Sequence, residues 1–331
     1  MYFVVSEKMS SVINIKPAKE TFLSVSNYDL DATLDSGQAF RWQPANGSWT
    51  GVIGRHRVQL TRTRNGIHAI TARSVNDWQW LHDYLQTATD LCAVLRTFPD
   101  DAPMRDAVAA CRGLRLLRQD PWECLASFIL SSTKQIVQIR QIVSLLCERF
   151  GEPIPLSFTK GGEGRAEEAN YFEVQIPSPR PSPRLGGARE KNGLCFAFPS
   201  AERIASVTEA DLRACKMGFR APHLLAAARR ITGGQLNLER LRHLPLAEAR
   251  EELMTLRGVG CKITDCVLLF AHGFDGAFPV DVWVERALQE LYFPRRRATG
   301  KRLRHFAATH FGPHAGYAQQ YLFHYMRTKM K

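Results

Sequence analysis

The sequence predicts an α+β protein in which an N-terminal antiparallel β-sheet domain precedes a mainly α-helical domain. Between residues 21 and 73, apolar residues fall in short alternating runs that are separated by the turn-forming stretches PANG, GRHR and RNG. This pattern is typical of antiparallel strands joined by tight turns. From residue 76 onward the apolar spacing becomes helical. We therefore expect the sheet domain, with flanking helices, at residues 1–117 and the helical domain at residues 118–331.

The helical predictions follow the apolar periodicity along the chain. The first helix carries Trp78, Leu81 and Leu85 on one face, and Ser74 or Asn76 is expected to cap it. Later helices are predicted at residues 104–117, 121–131, 136–150, 221–231, 246–256, 262–271, 282–291 and 315–326.

The composition limits the class of protein and of partner. The chain has 331 residues, 45% of them hydrophobic, without an apolar run near the ~18 residues of a membrane span. Because no signal-peptide pattern opens the sequence, we expect a protein of the cytoplasm, or of the nucleus in a eukaryote. The net charge of +12 favours a polyanionic partner, nucleic acid before membrane, although a merely basic enzyme fits equally well. We expect a monomer.

Two further features carry less information. The eight cysteines form no CxxC pair, so we interpret them as reduced and mostly buried, and we expect no metal, iron–sulfur or redox cofactor. Residues 157–194 are rich in Gly, Pro, Ser and charge, and their stretch SPRPSPR suits neither a helix nor a central strand. We expect a surface insertion that is mostly disordered; a basic loop lying on DNA is the alternative.

The stretch LRGVGCK joins two predicted helices through a short turn that contains Gly258, Val259 and Gly260. Glycines permit positive φ and let a phosphate approach the backbone closely. The N–H groups that open the next helix attract anions. A helix–hairpin–helix at about residues 247–271 could therefore bind a DNA backbone without reading its sequence. A tight turn that only packs two helices gives the same pattern.

Lys262 and Asp281 are the candidate catalytic pair. Lys262 lies in the first turn of one helix, and Asp281 precedes another helix 19 residues later. Partial burial and the positive helix end would favour a neutral lysine amine, which could attack C1′ of a deoxyribose and leave a Schiff base. A carboxylate that backbone N–H groups keep ionised could stabilise the cationic sugar. A solvated lysine and an ordinary helix cap are the structural alternatives.

This stretch resembles the helix–hairpin–helix Gly/Pro-Asp motif of DNA base-excision glycosylases. That motif ends in a catalytic aspartate at the position of Asp281. The bifunctional members of the family carry a lysine at the position of Lys262. No cysteine follows Cys266, unlike the iron–sulfur members. The resemblance narrows to eukaryotic-type 8-oxoguanine DNA glycosylases, whose N-terminal sheet is TBP-like. It rests on LDSGQAFRW at residues 34–42, RQDPWECLASFILSS at 118–132, GFR at 218–220 and FGPHAGYAQQYLF at 311–323.

The resemblance implies a pocket for an extruded base. The carbonyl of Gly37 would accept the hydrogen that 8-oxoguanine carries on N7. Cys266 and Phe323 would stack on the two faces of the base, and Gln319 would contact its pairing edge. From the residues alone, Gly37 is a turn glycine, Cys266 a buried filler and Phe323 part of a helix core.

The residues implied in contacts with the opposite strand depart from the family. Thr133 stands where the family inserts an asparagine, Gln138 replaces an arginine, and Trp283 replaces a histidine that contacts the backbone. Arg220 keeps the second arginine that reads the orphan cytosine, and Phe219 beside it is a candidate wedge. We therefore expect recognition of the damage to be retained better than a strict preference for cytosine opposite.

The sequence thus predicts a bifunctional DNA glycosylase and abasic-site lyase. Its substrate would be duplex DNA that contains 8-oxoguanine, with related oxidised purines as further candidates. One alternative is a monofunctional glycosylase for alkylated bases, in which the aspartate assists water and no lysine is needed. The other is a non-catalytic helix–hairpin–helix protein that binds DNA.

Overall fold

The computed structural model describes residues 18–132, 134–155, 194–295 and 297–329. Within these ranges the predicted antiparallel sheet is confirmed: five strands lie in the order β1-β5-β4-β3-β2, and two short strands form a second ladder. The strands are β1 (Ala18–Ser24), β2 (Gln43–Ala45), β3 (Ser48–Ile53), β4 (His56–Thr63), β5 (Gly66–Val75), β6 (Pro153–Pro155) and β7 (Leu194–Phe196). The predicted insertion at 157–194, apart from residue 194, lies outside the described residues.

The helices of the first half flank the sheet and begin the helical body. They are α1 (Leu30–Leu34), α2 (Gln79–Leu85), α3 (Leu91–Leu95), α4 (Ala102–Ala110), α5 (Pro121–Leu130) and α6 (Ile136–Phe150). The cap predicted for α2 is wrong: its first residue is preceded by Trp78, and the nearby side-chain bond comes from the Asp77 carboxylate, which accepts from Gln79 N at 3.0 Å.

The helix predicted at residues 104–117 is too long, since α4 ends at Ala110. The chain that follows is bonded to other parts of the fold. The N–H of Arg115 donates to Thr33 Oγ1 at 3.1 Å, and that of Leu117 donates to Gln38 Oε1 at 2.8 Å. These tertiary hydrogen bonds replace the helical ones beyond the end of α4.

The second half is helical. Its helices are α7 (Ala201–Ala205), α8 (Glu209–Arg213), α9 (Ala221–Thr232), α10 (Leu238–Leu241), α11 (Leu246–Met254), α12 (Cys261–Val267), α13 (Val282–Tyr292), α14 (Gly300–His310) and α15 (Ala315–Lys329). A 3-10 turn at Gly218–Arg220 precedes α9, and a π-helical stretch at Leu268–His272 extends α12. The sequence did not predict α14, whose stretch GKRLRHFAATH contains few large apolar residues.

Two hydrophobic clusters form the core. The smaller cluster packs the inner face of the sheet against α1 and α2 through Leu23, Leu34, Trp42, Leu60 and Leu81. The larger one fills the helical body. Leu117 packs in the smaller cluster and Leu116 in the larger one, and the domain boundary at 117 and 118 stays a prediction. None of the helices in the described part of the chain is long and apolar enough to cross a membrane.

Candidate active site

The hairpin between α11 and α12 has the geometry of a helix–hairpin–helix. Gly258 has a left-handed φ of 82°, and a Cβ added there would lie 2.6 Å from the ring of His223. Val259 is buried and fixes the turn from inside. Gly260 directly precedes α12, and a Cβ added to it would meet open space. One glycine is therefore required by packing and the other leaves the outer side of the hairpin accessible.

A partly buried ion pair fixes the angle between the two helices of the hairpin. Arg250 Nε of α11 donates to Asp265 Oδ1 of α12 at 2.7 Å. Burial raises the pKa of Asp265, and the neighbouring Arg250 charge lowers it. Since Asp265 lies three residues after Lys262, this contact also fixes the helix that carries the candidate nucleophile.

The Lys262 amine is bound at a defined position on α5. Its Nζ donates to Ser131 Oγ at 3.1 Å and lies 5.1 Å from the centroid of the Phe128 ring. Ser131 in turn donates its hydroxyl hydrogen to the Phe128 carbonyl at 2.8 Å. Because the Ser131 hydroxyl hydrogen is directed to the Phe128 carbonyl, the Ser131 oxygen can accept a hydrogen bond from the Lys262 amine. Ser131 and Phe128 belong to the stretch RQDPWECLASFILSS, but nothing in that pattern indicated a contact with Lys262.

Asp281 caps α13 as predicted, and its Oδ1 accepts from Val284 N at 2.8 Å. Burial raises the pKa of Asp281 above its ordinary value. The hydrogen bond from Val284 N, the charge of Lys262 and the bond from Trp283 N lower it, in that order, without cancelling the effect of burial. The sequence indicated the backbone hydrogen bonds that favour an ionised Asp281, but it did not indicate the burial that opposes ionisation.

Cys266 lies one helical turn beyond Lys262 and is buried. Burial raises its pKa to about 12, while the Lys262 charge lowers it and the Asp281 charge raises it. The charges of both members of the candidate pair therefore affect the pKa of the same thiol, in opposite directions. A thiol with this pKa is neutral near pH 7 and does not compete with the amine as a nucleophile.

Gly37 and Phe323 meet although they come from opposite ends of the chain. Gly37 has a left-handed φ of 76°. A Cβ added there would lie 3.0 Å from Ile136 Cδ1 and 3.4 Å from Phe323 Cε1. The glycine thus occupies a narrow slot between α6 and α15, in which a side chain would be tightly packed against Ile136 and Phe323. Two of the residues that the resemblance assigned to one pocket are adjacent in space.

Gln319 lies on α15, one turn before Phe323, and is buried. Its Oε1 has no hydrogen-bond partner among the described residues. A buried amide oxygen without a donor costs about 1–3 kcal/mol, which a donor on a bound molecule would recover. We use the name base pocket for the four residues that the resemblance assigned to the extruded base, namely Gly37, Cys266, Gln319 and Phe323; the structure shows the approach of Gly37 to Phe323.

A hydrogen-bonded path joins the base pocket to the π-helical stretch. Gln119 Nε2 donates to the Gln38 carbonyl at 2.6 Å, one residue after Gly37. Gln119 N donates to the Phe270 carbonyl at 2.8 Å. Phe270 lies in the stretch that continues α12, so the turn of Gly37 and the helix of Lys262 are linked through one buried glutamine.

The residues predicted to contact the opposite strand have different surroundings. Phe219 is 55% exposed, as a wedge would be. Arg220 is only 2% exposed, and its guanidinium donates to the carbonyls of Ser132 and Met217 and lies 4.3 Å from the Phe219 ring centroid. Gln138 accepts from Gln135 N at 3.2 Å at the start of α6. Thr133 lies outside the described residues.

The sequence matches two family descriptions that together span this arrangement. Residues 21–125 match the N-terminal domain of 8-oxoguanine DNA glycosylase. Residues 126–311 match the HhH-GPD superfamily of base excision DNA repair proteins. The second match includes the hairpin, Lys262 and Asp281.

Relatives with similar length support these matches. A probable N-glycosylase/DNA lyase of Methanothermobacter thermautotrophicus is 29% identical over 92% of this chain and 95% of its own. The N-glycosylase/DNA lyase OGG1 of Arabidopsis thaliana is 28% identical over 91% of this chain and 78% of its own. The 8-oxoguanine glycosylase/lyase of Clostridium acetobutylicum, solved with double-stranded DNA containing cytosine opposite 8-oxoguanine, is 27% identical, with a TM-score of 0.76 over 94% of this chain and 99% of that one.

Proposed function

The chain belongs to the HhH-GPD superfamily of base excision DNA repair proteins, and from this we propose that it removes 8-oxoguanine from duplex DNA and cleaves the abasic site that results. The observation that carries the proposal is the position of the Lys262 amine, which lies in the first turn of the helix after the hairpin, donates to Ser131 Oγ and approaches the Phe128 ring. Its charge also lowers the pKa of the Asp281 carboxyl. A monofunctional glycosylase needs no such amine. We further propose that the protein acts on DNA as a monomer, in the cytoplasm or in a eukaryotic nucleus.

In the first step the Lys262 nitrogen forms a bond to C1′ of the damaged nucleotide. The N-glycosidic bond breaks, and its electron pair leaves with the base. The amine loses a proton in this step, and the departing base gains one. Because Ser131 accepts one N–H of the lysine, the amine is restrained before it meets the sugar.

Asp281 lowers the energy of the charge that develops on the sugar. As the base departs, positive charge forms at C1′ and the ring oxygen. A partly buried carboxylate interacts more strongly with such charge than one in water does. The same burial makes the isolated carboxylate unfavourable, which is why the pKa of Asp281 is raised. The side chain is therefore better suited to the charged transition state than to the free enzyme.

Between the two steps the C1′–O4′ bond breaks and the sugar ring opens: the nitrogen lone pair forms the C1′=N bond and O4′ takes up a proton. In the second step the protonated Schiff base that results acts as the electron sink. A proton leaves C2′, the C3′–O bond breaks, and the 3′ phosphate departs by β-elimination. The strand is cut, while the lysine remains bound to the sugar fragment until water hydrolyses the imine. Every group that these steps require comes from this chain, the DNA or water.

Recognition of the oxidised base would rest on the base pocket. The Gly37 carbonyl accepts the N7 hydrogen, which guanine lacks. A buried carbonyl that faces the N7 lone pair of guanine would lose about 1–3 kcal/mol, so the undamaged base is rejected. The pairing edge of a guanine-type base carries N–H donors. One of them would give the unpartnered Gln319 Oε1 its hydrogen bond.

The test is borohydride trapping combined with a substrate panel. Wild-type protein should form a covalent complex with duplexes that contain 8-oxoguanine, and Lys262→Gln should reduce trapping by at least ~10³-fold because the imine nitrogen is gone. Lys301→Gln removes an exposed lysine on α14 and should trap normally.

The panel presents 8-oxoguanine opposite each of the four bases, together with a 3-methyladenine duplex. Release of 3-methyladenine without trapping would establish the monofunctional alternative. Binding of duplex without release of any base would establish the non-catalytic one. Trapping that persists in Lys262→Gln would show that another group is the nucleophile.

A further inference from the structure

We infer that Asp35 is a positioning residue of the base pocket, whose carboxylate ties the turn of Gly37 to α6 and α15 at once. The inference deepens the proposed function and rests on it. Asp35 would not touch the substrate, but its carboxylate would affect recognition of the oxidised base.

The Asp35 carboxylate bridges two arginines that come from different helices. Arg140 Nη2 of α6 donates to Oδ1 at 3.0 Å, and Arg327 Nη2 of α15 donates to Oδ2 at 3.0 Å. Arg327 Nη1 also donates to the backbone carbonyl of Asp35. The three side chains are 32%, 26% and 14% exposed for Asp35, Arg140 and Arg327. Charge-assisted bonds of this partly buried kind are stronger than exposed ion pairs.

Each arginine lies on the same face of its helix as a residue that packs against Gly37. Ile136 and Phe323 are the residues that a Cβ at Gly37 would touch. Arg140 lies four residues after Ile136, and Arg327 lies four residues after Phe323. Residues at this spacing lie on one helical face, one turn apart. Each wall residue is therefore followed by an arginine that binds Asp35, two residues before Gly37.

Neutral hydrogen bonds fix the rest of the turn. Gln320 Nε2 donates to the Ser36 carbonyl at 2.8 Å. Gln38 Nε2 donates to the Arg115 carbonyl at 2.8 Å. These bonds restrain the backbone on both sides of Gly37, whereas Asp35 sets the turn relative to the two helices that form the slot.

Loss of the Asp35 charge should shift the Gly37 carbonyl without unfolding the chain. Two positively charged guanidiniums would then face each other at the end of the slot, with one amide between them. Their repulsion would separate α6 from α15 at that point. Displacement of a positioning group by a fraction of an ångström slows the chemical step, whereas binding of the DNA backbone depends on the hairpin elsewhere.

The experiment compares wild-type protein with Asp35→Asn and with the matched control Asp31→Asn. Asp31 lines the same cleft as Asp35, loses the same charge and keeps an oxygen for Trp49 Nε1, which it binds at 2.6 Å. Three quantities are measured: single-turnover release of 8-oxoguanine, Kd for the same duplex, and borohydride trapping on a duplex with a preformed abasic site. The third requires Lys262 but no base in the pocket.

For Asp35→Asn we expect release of 8-oxoguanine to fall by about tenfold or more, with Kd and abasic-site trapping within about twofold of wild type. Asp31→Asn should match wild type in all three. Normal base release by Asp35→Asn, or a parallel loss of release and trapping, would overturn the inference. If wild-type protein traps abasic sites but releases no 8-oxoguanine, the proposed substrate fails first.

A second variant keeps the inference testable if Asp35→Asn does not fold. Arg140→Met removes one of the two ion pairs and keeps an unbranched apolar side chain on α6. It should lower release of 8-oxoguanine while leaving abasic-site trapping unchanged. Equal losses of both activities in Arg140→Met would show that the contact serves the fold alone.

Discussion

The candidate catalytic pair and the base pocket are built from different parts of the chain. Lys262 and Asp281 come from one stretch of sequence: the hairpin directly precedes the helix of Lys262, and Asp281 itself caps α13. The pocket unites a turn before β2 with a helix at the end of the chain, and only tertiary contacts bring Gly37 to Phe323. The candidate catalytic pair thus comes from one stretch, with Ser131 as a distant partner of the lysine, whereas the base pocket combines Cys266 of that stretch with residues from both ends of the chain.

This difference predicts which functions can be lost separately. A change in the catalytic stretch should abolish reaction on any deoxyribose, damaged base or abasic site alike. A change at a pocket residue outside that stretch, such as Gly37 or Gln319, should affect base release and leave the lyase step intact. The buried Gln119 links the two regions, since it bonds both the Gln38 carbonyl and the Phe270 carbonyl.

The largest effect expected beyond Lys262 is that of Asp281→Asn. Base release should fall by about 10²–10³-fold, because the amide cannot balance positive charge on the sugar. Asparagine caps helices as well as aspartate does, so α13 should remain folded.

The stability of Asp281→Asn separates a catalytic from a structural role. Because the pKa of Asp281 is raised in the folded chain, its ionisation lowers the free energy of unfolding as pH rises through that pKa. Removal of the charge should therefore leave Tm at pH 7 unchanged or higher, as thermal denaturation would report. A variant that loses activity and Tm together would indicate a structural role and weaken the comparison.

A smaller and more selective effect is expected for Gly37→Ala. The added methyl would meet Ile136 and Phe323, and the left-handed backbone would be strained by about 1–2 kcal/mol. Release of 8-oxoguanine should fall by about tenfold or more, while trapping on a preformed abasic site should stay near wild type.

Gly47→Ala is the control for this variant. Gly47 has a φ of 74° and open space around an added Cβ, so it reproduces the backbone strain outside the pocket. It should lose stability but keep base release. If Gly47→Ala and Gly37→Ala lower release equally, backbone strain rather than the pocket explains the loss.

The same contrast explains what the sequence could predict. The helix at Ile136–Phe150 and the cap at Asp281 follow from local periodicity and from the chemistry of helix starts. The sheet follows from alternation and from its turns. The pairing of Gly37 with Phe323 was implied only by a family resemblance, because no local pattern joins positions so far apart.

The features that the sequence did not predict also depend on contacts between distant parts of the chain. The end of α4 depends on bonds from Arg115 and Leu117 to distant groups, and helical spacing of apolar residues cannot reveal them. The role of Ser131 depends on the approach of α12 to α5. The bridge at Asp35 combines residues of three separate elements, each of which looks like an ordinary surface charge in the sequence.

The smallest expected effect concerns the acid stability of the catalytic stretch. His272 ends the π-helical stretch, and burial, followed by the positive charges of Arg118 and Arg242, lowers its pKa to about 4 from 6.5. The unfolded chain binds this proton below pH 6.5 and the folded chain only near pH 4, so stability falls as pH decreases through that window. The loss is at most about 3 kcal/mol.

Thermal denaturation between about pH 7 and pH 4.5 should show a steeper decline of Tm for wild type than for His272→Gln. His305→Gln, at an exposed position on α14, should follow wild type. Carboxylates with raised pKa values act in the opposite direction but are common to all three proteins, so the difference between the curves isolates His272. Parallel curves for wild type and His272→Gln would show that protonation of His272 does not lower the stability of the folded chain.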